Sequence, residues 1–216
     1  MRKKVLVVAG ARPNFMKIAP LLTEFRKNKS IFTTKLVHTG QHYDFHMSEI
    51  FFQHLNIPKP DIFLEVGSGS HARQTAKIME AFEKVVLDEK PDLLVVFGDV
   101  NSTMACSLVA AKMNVKIAHF EAGLRSFDRT MPEEVNRIVT DSLSDYLFVS
   151  EKSGLINLKR EGVSPEKIHF VGNVMIDTLM VNMPVINKSK VVAQLNLSEK
   201  KYCLMTLHRP SNVDSR

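Results

Sequence analysis

Tryptophan is absent from this 216-residue chain, tyrosine occurs three times and cysteine twice. Proteins that stack bases interleave aromatic rings with basic residues, and that pattern is missing. The formal net charge is +6, yet the lysines and arginines alternate with acids along segments such as 77–90 and form no basic block. A charge excess spread in this way belongs to a solvated surface, so no nucleic-acid partner is expected. The two cysteines, Cys106 and Cys203, show no CxxC spacing and no companion histidine at ligand distance. Buried reduced thiols are expected at both, with no metal site and no disulfide framework. Long apolar runs are lacking too. The stretch 5–9 is too short for a signal peptide and passes straight into a Gly-Ala-Arg-Pro turn, so it reads as a first strand. Nothing else approaches spanning length, and a cytoplasmic protein without membrane contact is expected. Internal repeats and low-complexity tracts are missing as well.

What is present is alternation. Hydrophobic residues make up 44% of the chain, enough for a substantial core in one large domain, or one domain plus part of another. Short β-branched runs at 5–9, 34–39, 62–66, 93–97, 116–120, 146–149 and 168–171 read as strands. Amphipathic runs at 15–27, 45–55, 71–89, 102–113, 133–144 and 152–161 read as helices, several opened by Ser or Asn at a cap position. Strictly alternating elements of this kind predict α/β architecture, a Rossmann-like parallel sheet with helices on both faces. Residues 5–9 and 93–97 are nearly continuous apolar runs, as central strands buried on both faces require. A first domain is expected over 1–172. Residues 173–216 are expected to form a linker helix and, at 202–207, the first strand of an incomplete second domain, so the chain reads as a fragment or as one completed by a partner.

Chemistry concentrates where strands end, the edge at which open parallel sheets bind ligands. Gly10-Ala-Arg-Pro-Asn-Phe-Met-Lys17 leaves the first strand and opens a helix, so free amides with Arg12 and Lys17 offer a phosphate site. The plainer reading is an ordinary turn with two surface cations. Thr39-Gly-Gln-His-Tyr-Asp44 puts Gln41 and His42 on the same edge, although Gly40 turning the chain and Asp44 capping a helix explain it as well. Gly67-Ser-Gly-Ser70 is an ordinary flexible loop before a helix or a weak anion cradle. Asp99 follows the most apolar strand beside a helix start, which suits either a cap or a general base held as the anion. Glu121, Arg125, Glu133, Glu134 and Arg137 form the densest cluster. Glu133 and Glu134 fit a helix first turn after Pro132, and Glu134 is spaced to pair with Arg137. Glu121 leaves a strand before Ala-Gly and has no local capping role. His208 and Arg209 follow the run 202–207 and are expected to face a cleft.

Taken in order, GARPNFMKIAP, TGQHYD, VFGDVNST, HFEAGLRS, MPEEVNR, GNVMIDTL and LHRPSN closely resemble the non-hydrolysing UDP-N-acetylglucosamine 2-epimerases. The likeness runs from residue 3 onward. It implies the N-terminal half of a glycosyltransferase-B architecture and interconversion of UDP-N-acetylglucosamine with UDP-N-acetylmannosamine, by elimination and re-addition of UDP, without cofactor or metal. It also implies that the complete protein is a homodimer and that this chain alone has weak or no activity. Carried over by motif, Asp99, Glu121, Glu133 and His208 match the family's catalytic residues. Asp99 and Glu133 are the expected acid-base pair, with Glu121 positioning or sharing the proton. Arg12, Lys17, Gln41, His42, Arg137 and Arg209 are expected to bind the nucleotide sugar. Two departures stand out: Asn14 where many members carry Glu, and His208-Arg-Pro-Ser-Asn212 where an HRRE-like string is common. The alternatives are a glycosyltransferase-B transferase or hydrolysing epimerase, or a non-catalytic UDP-sugar-binding module.

Overall fold

Seven apolar runs become seven strands of a single parallel sheet. The computed structural model describes residues 2–40, 52, 54–197 and 201–207. In chain order the elements are β1 (Lys3–Ala9), α1 (Arg12–Lys27), β2 (Phe32–His38), β3 (Ile62–Phe63), α2 (His71–Glu89), β4 (Leu93–Phe97), α3 (Asn101–Lys112), β5 (Lys116–Phe120), α4 (Pro132–Leu143), β6 (Tyr146–Val149), α5 (Lys152–Arg160), β7 (Ile168–Phe170), α6 (Val174–Ile186) and α7 (Val191–Gln194). The strand order is β3-β2-β1-β4-β5-β6-β7. The chain therefore works outward from β1 in one direction, then returns to place β4 on its other side. That reversal between β1 and β4 is the topological switch point where such sheets form a crevice.

Strand alternation explains the two covered faces. Leu6, Val8, Leu94, Val96 and Ile117 meet Ile78, Phe82 and Val86 of α2 and Ala105, Cys106 and Val109 of α3. Val5, Val7, Ala9, Val95, Phe97 and Ala118 point the other way, onto Phe15, Ile18 and Leu22 of α1. Each such side chain, fully buried, contributes roughly 1.5–3 kcal/mol. A smaller cluster of Ala122, Leu147, Val149 and Leu158 holds α5 against the sheet. The Thr178 hydroxyl donates to the Met16 carbonyl and fastens α6 to α1.

Three expectations change. The strand expected at 62–66 pairs only at Ile62 and Phe63, because Glu65 turns to a positive φ of 51° and breaks the extended run. Residues 202–207 form no strand and are exposed; no neighbouring strand among the described residues offers them a ladder. Cys203, which lies there, is exposed and not buried, whereas Cys106 is buried in α3 and its thiol pKa is pushed up by that burial. Residues 45–55 lie mostly outside the described residues. Contacts divide the chain into a first unit, Met1–Met180, and a second, Val181–Arg216. Among the described residues no helix is long and apolar enough to cross a membrane.

Candidate active site

The turn after β4 organises the site. Gly98 takes a left-handed φ of 63°, and a Cβ there would stand 3.2 Å from both the Glu121 Oε2 and the Lys17 Nζ. Glycine suits this position because it meets the conformation and leaves room for an ion pair. Lys17 donates to Glu121 across that space, with side chains only 12% and 16% exposed. Glu121 itself sits at φ 66°. A non-glycine residue in this region is strained by about 1–3 kcal/mol and persists where surrounding contacts over-determine it. The strand ladder of β5 and the Lys17 contact do so here.

Asp99 is held from the other side. Of its two readings the cap is not formed: the N-cap of α3 is Val100, without a side-chain cap bond. Instead Asp99 accepts from the Arg137 guanidinium. Asn136, next to Arg137 on α4, donates to the Asp99 carbonyl at 2.8 Å and to Asn101 Oδ1 at 3.1 Å. Arg137 also pairs with Glu134 at 3.2 Å, as the i, i+3 spacing predicts. Glu134 does more than favour the helix start. Its carboxylate accepts from the Ser126 amide and hydroxyl, each at 2.9 Å, and from the Phe127 amide at 3.0 Å, so it shapes the loop ahead of α4. Glu133 is exposed in the first turn of α4 and makes no ion pair or hydrogen bond among the described residues.

Asn14, buried in α1, accepts from the Gly10 amide at 3.2 Å and the Ala11 amide at 2.9 Å and donates to the Phe97 carbonyl at 3.2 Å. Amides expected to be free for a phosphate are therefore used inside the turn. Ser70 of the Gly67–Ser70 loop accepts from the Arg73 amide as the N-cap of α2, the plainer of its two readings.

The expected cluster of acids and guanidiniums divides in two. Arg125 turns away from Glu133 and Arg137. Its guanidinium grips Glu161, the residue after α5, at 2.6 and 2.8 Å and pairs with Asp141 of α4 at 2.7 Å. Asp141 also accepts from the Gly123 amide at 3.0 Å and pairs with His119 at 2.7 Å. Asp141 and Glu161 carried no sequence motif. A signal existed in α4 nonetheless: it buries Glu134, Asn136, Thr140 and Asp141 while leaving Val135 45% exposed. A helix that turns polar residues inward has partners waiting for them.

Of the remaining expected residues, Arg12 opens α1, although its side chain lies outside the described residues. Gln41, His42, His208 and Arg209 lie outside them too.

Burial pushes Glu134 towards neutrality, but the Ser126 and Phe127 hydrogen bonds and the Arg137 charge outweigh it and hold its carboxyl below the ordinary value. Burial likewise opposes ionisation of Asp141, and its contacts with His119 and Arg125 overcome it. Depressed carboxylates stabilise the fold above their unfolded pKa of about 4 and lose that contribution as pH falls through the lower folded value. Urea denaturation is therefore expected to give a plateau from about pH 5 towards neutrality and a loss below about pH 4. Glu134→Gln should flatten that acid limb; an unchanged limb would remove Glu134 from the account.

Residues 24–216 match the protein family described as UDP-N-acetylglucosamine 2-epimerase. A UDP-N-acetylglucosamine 2-epimerase homolog of Methanococcus maripaludis is 49% identical over 213 residues, covering 98% of this chain and 58% of that protein. The UDP-2,3-diacetamido-2,3-dideoxy-D-glucuronate 2-epimerase of Pseudomonas aeruginosa is 44% identical over 214 residues, 98% of this chain and 59% of its own length. Among solved structures, the Methanocaldococcus jannaschii UDP-GlcNAc 2-epimerase in complex with UDP-GlcNAc and UDP superposes with a TM-score of 0.89 at 44% identity, over 98% of this chain and 58% of that one. The chain thus spans somewhat over half the length of the relatives it matches. Its sheet has the architecture of the N-terminal Rossmann-like unit of glycosyltransferase-B proteins. With sequence agreement along nearly its whole length, the chain belongs to the UDP-N-acetylglucosamine 2-epimerase family.

Proposed function

We propose that this chain carries the acid-base part of a site that interconverts UDP-N-acetylglucosamine and UDP-N-acetylmannosamine at C2. The observation that supports this most is the pairing of Lys17 with Glu121 over Gly98, beside an Asp99 anchored by Arg137. The C2 hydrogen has no adjacent carbonyl and is not acidic, so simple enolisation is closed to it. Elimination solves the problem. A carboxylate takes the C2 proton, the C1–oxygen bond breaks, UDP departs and a C1–C2 double bond forms. Re-addition returns a proton to the opposite face of C2 and UDP to C1. Two faces require two proton-handling groups, and Asp99 and Glu133 are assigned that work.

Glu121 positions the acids or shares the proton. His208, with Arg12, Lys17, Gln41, His42, Arg137 and Arg209, binds the nucleotide and stabilises charge on the departing diphosphate, where preorganised donors contribute most. The reaction belongs to the cytoplasm in this reading. The test is incubation with UDP-N-acetylglucosamine in D2O. Manno epimer bearing deuterium at C2, formed only slowly by this chain alone and without accumulation of UDP, is expected. Free UDP without a UDP-linked epimer would favour the hydrolysing reading, and binding without exchange a non-catalytic module. The Pseudomonas relative makes the UDP-linked diacetamido glucuronate sugar the second substrate to assay in parallel.

A homodimer belongs to the same proposal. A shallow groove of about 510 Å³ between α2, α3 and α4 is lined by Ala72, Ala76, Met79, Met104, Pro132 and Val135. An apolar strip of this kind suits the same face of a second copy. Light scattering should give a dimer for the wild type and a monomer for Val135→Glu; a wild-type monomer would end the dimer reading.

A further inference from the structure

We infer that His119 is held as a doubly protonated imidazolium and acts as a positioning residue that fastens the turn bearing Asp99 to the turn bearing Glu121. Strand alternation sends His119 of β5 to the same face as Ile117, beneath α4, where it is fully buried. Its Nε2 lies 2.8 Å from the Gly98 carbonyl, and its Nδ1 lies 2.7 Å from Asp141 Oδ1. A carbonyl only accepts, so Nε2 donates. The second oxygen of Asp141 faces the Arg125 guanidinium at 2.7 Å and the Gly123 amide at 3.0 Å. The fixed guanidinium charge on that side favours the ionised carboxyl, which then accepts from the ring, so Nδ1 donates as well. A neutral imidazole carries one N–H, so filling both contacts would then require the buried Asp141 carboxyl to keep the second proton beside the Arg125 guanidinium.

The charges close. His119 and Arg125 are two cations, and Asp141 and Glu161 are two anions. Such a balanced set avoids the penalty of a lone buried charge. The Lys17 and Glu121 pair stands against Gly98, whose carbonyl the ring holds. The mechanical consequence follows from the bonded backbone atoms. His119 holds the carbonyl of the residue before Asp99, and Asp141 holds the amide two residues after Glu121. One imidazolium therefore sets the spacing of two proposed catalytic carboxylates without touching the sugar.

Nitrogen-15 NMR of the wild-type chain tests the protonation without any turnover, so it stands apart from the epimerase proposal. At neutral pH, both ring nitrogens of His119 should resonate as protonated, each correlated with its own hydrogen. A single protonated nitrogen would overturn the inference. Positioning is tested with Asp141→Asn, which keeps the shape of the carboxylate and removes its charge. Its ring should show only one N–H, and kcat should fall about 10²-fold, the scale set by a displacement near 1 Å, while UDP affinity is unchanged. A purely structural role would lower the melting temperature without separating kcat from binding. A folded variant with wild-type kcat would defeat the positioning role. Should Asp141→Asn fail to fold, Arg125→Lys, which keeps a cation beside Asp141, is expected to give the same split at smaller size, and wild-type kcat there would count equally against it.

Discussion

Glu121→Gln is expected to lower deuterium incorporation at C2 by about 10²- to 10⁴-fold, the range supplied by general acid-base groups. Glutamine keeps the volume and the left-handed backbone of Glu121, so the effect reports charge and proton transfer rather than collapse. Removing the carboxylate also frees the Lys17 ammonium, whose side chain is only 12% exposed. A buried cation without a counter-ion attracts the next available anion. UDP should therefore bind at least as tightly to the variant as to the wild type while turnover is lost. Isothermal titration with UDP and exchange in D2O, run on the same preparation, separate the two. Equal exchange rates would remove Glu121 from the catalytic set. Weaker UDP binding would show that Glu121 and Lys17 act as one unit in holding the nucleotide.

The largest stability effect is expected at Gly123. An alanine Cβ there would stand 2.5 Å from the Gly154 carbonyl oxygen and 2.9 Å from its carbonyl carbon and Cα, all backbone atoms, at a φ of 78°. The left-handed conformation costs an alanine about 1–2 kcal/mol, and forced overpacking adds about 1–3 kcal/mol. Against a total stability of about 5–15 kcal/mol, that threatens the fold of a marginal domain. Gly162 provides the control, since it has the same φ of 78° and nothing within 4 Å of an added Cβ. Gly162→Ala should lose only the conformational part, about 1–2 kcal/mol by urea denaturation. If both variants lose the same amount, the contact between the Gly123 turn and α5 is softer than its geometry indicates. Gly123 also donates to Asp141, so displacing it should disturb the ring signals of His119.

The strands were legible because each is a short apolar run whose period and length admit few alternatives. Residues 93–97, 116–120 and 146–149 are strands to the residue. Residues 202–207 show the limit of that logic: an apolar run becomes a strand only beside another strand, and local sequence does not record the neighbour. Motifs placed Asp99 and Glu121 at strand ends, but their partners arise from topology. Lys17 and Glu121 are 104 positions apart, and nothing near either announces the other. Arg125 shows the same limit from the opposite direction. Proximity in sequence grouped it with Glu133 and Arg137, whereas the fold turns it towards Asp141, which α4 buries, and Glu161, which follows α5 at the surface. Glu134 looked like an acid placed for the helix dipole; its loop contacts need the backbone of Ser126 and Phe127 to return towards it.

The reversal of strand order also constrains how the molecule comes into being. β1 pairs with β2 along Lys3 to Ala9, but its other edge waits for β4, whose Leu93 lies opposite Val5. On a ribosome, β1, α1 and β2 emerge with one side of their central strand unpaired until some ninety residues have followed, a count set by the Val5 and Leu93 register. Edges left open that long invite pairing with neighbouring nascent chains. Synthesis speed through α2 and β4, together with holdase capture of the emerging β1 edge, should then govern the yield of correctly folded protein more than the stability of the finished sheet.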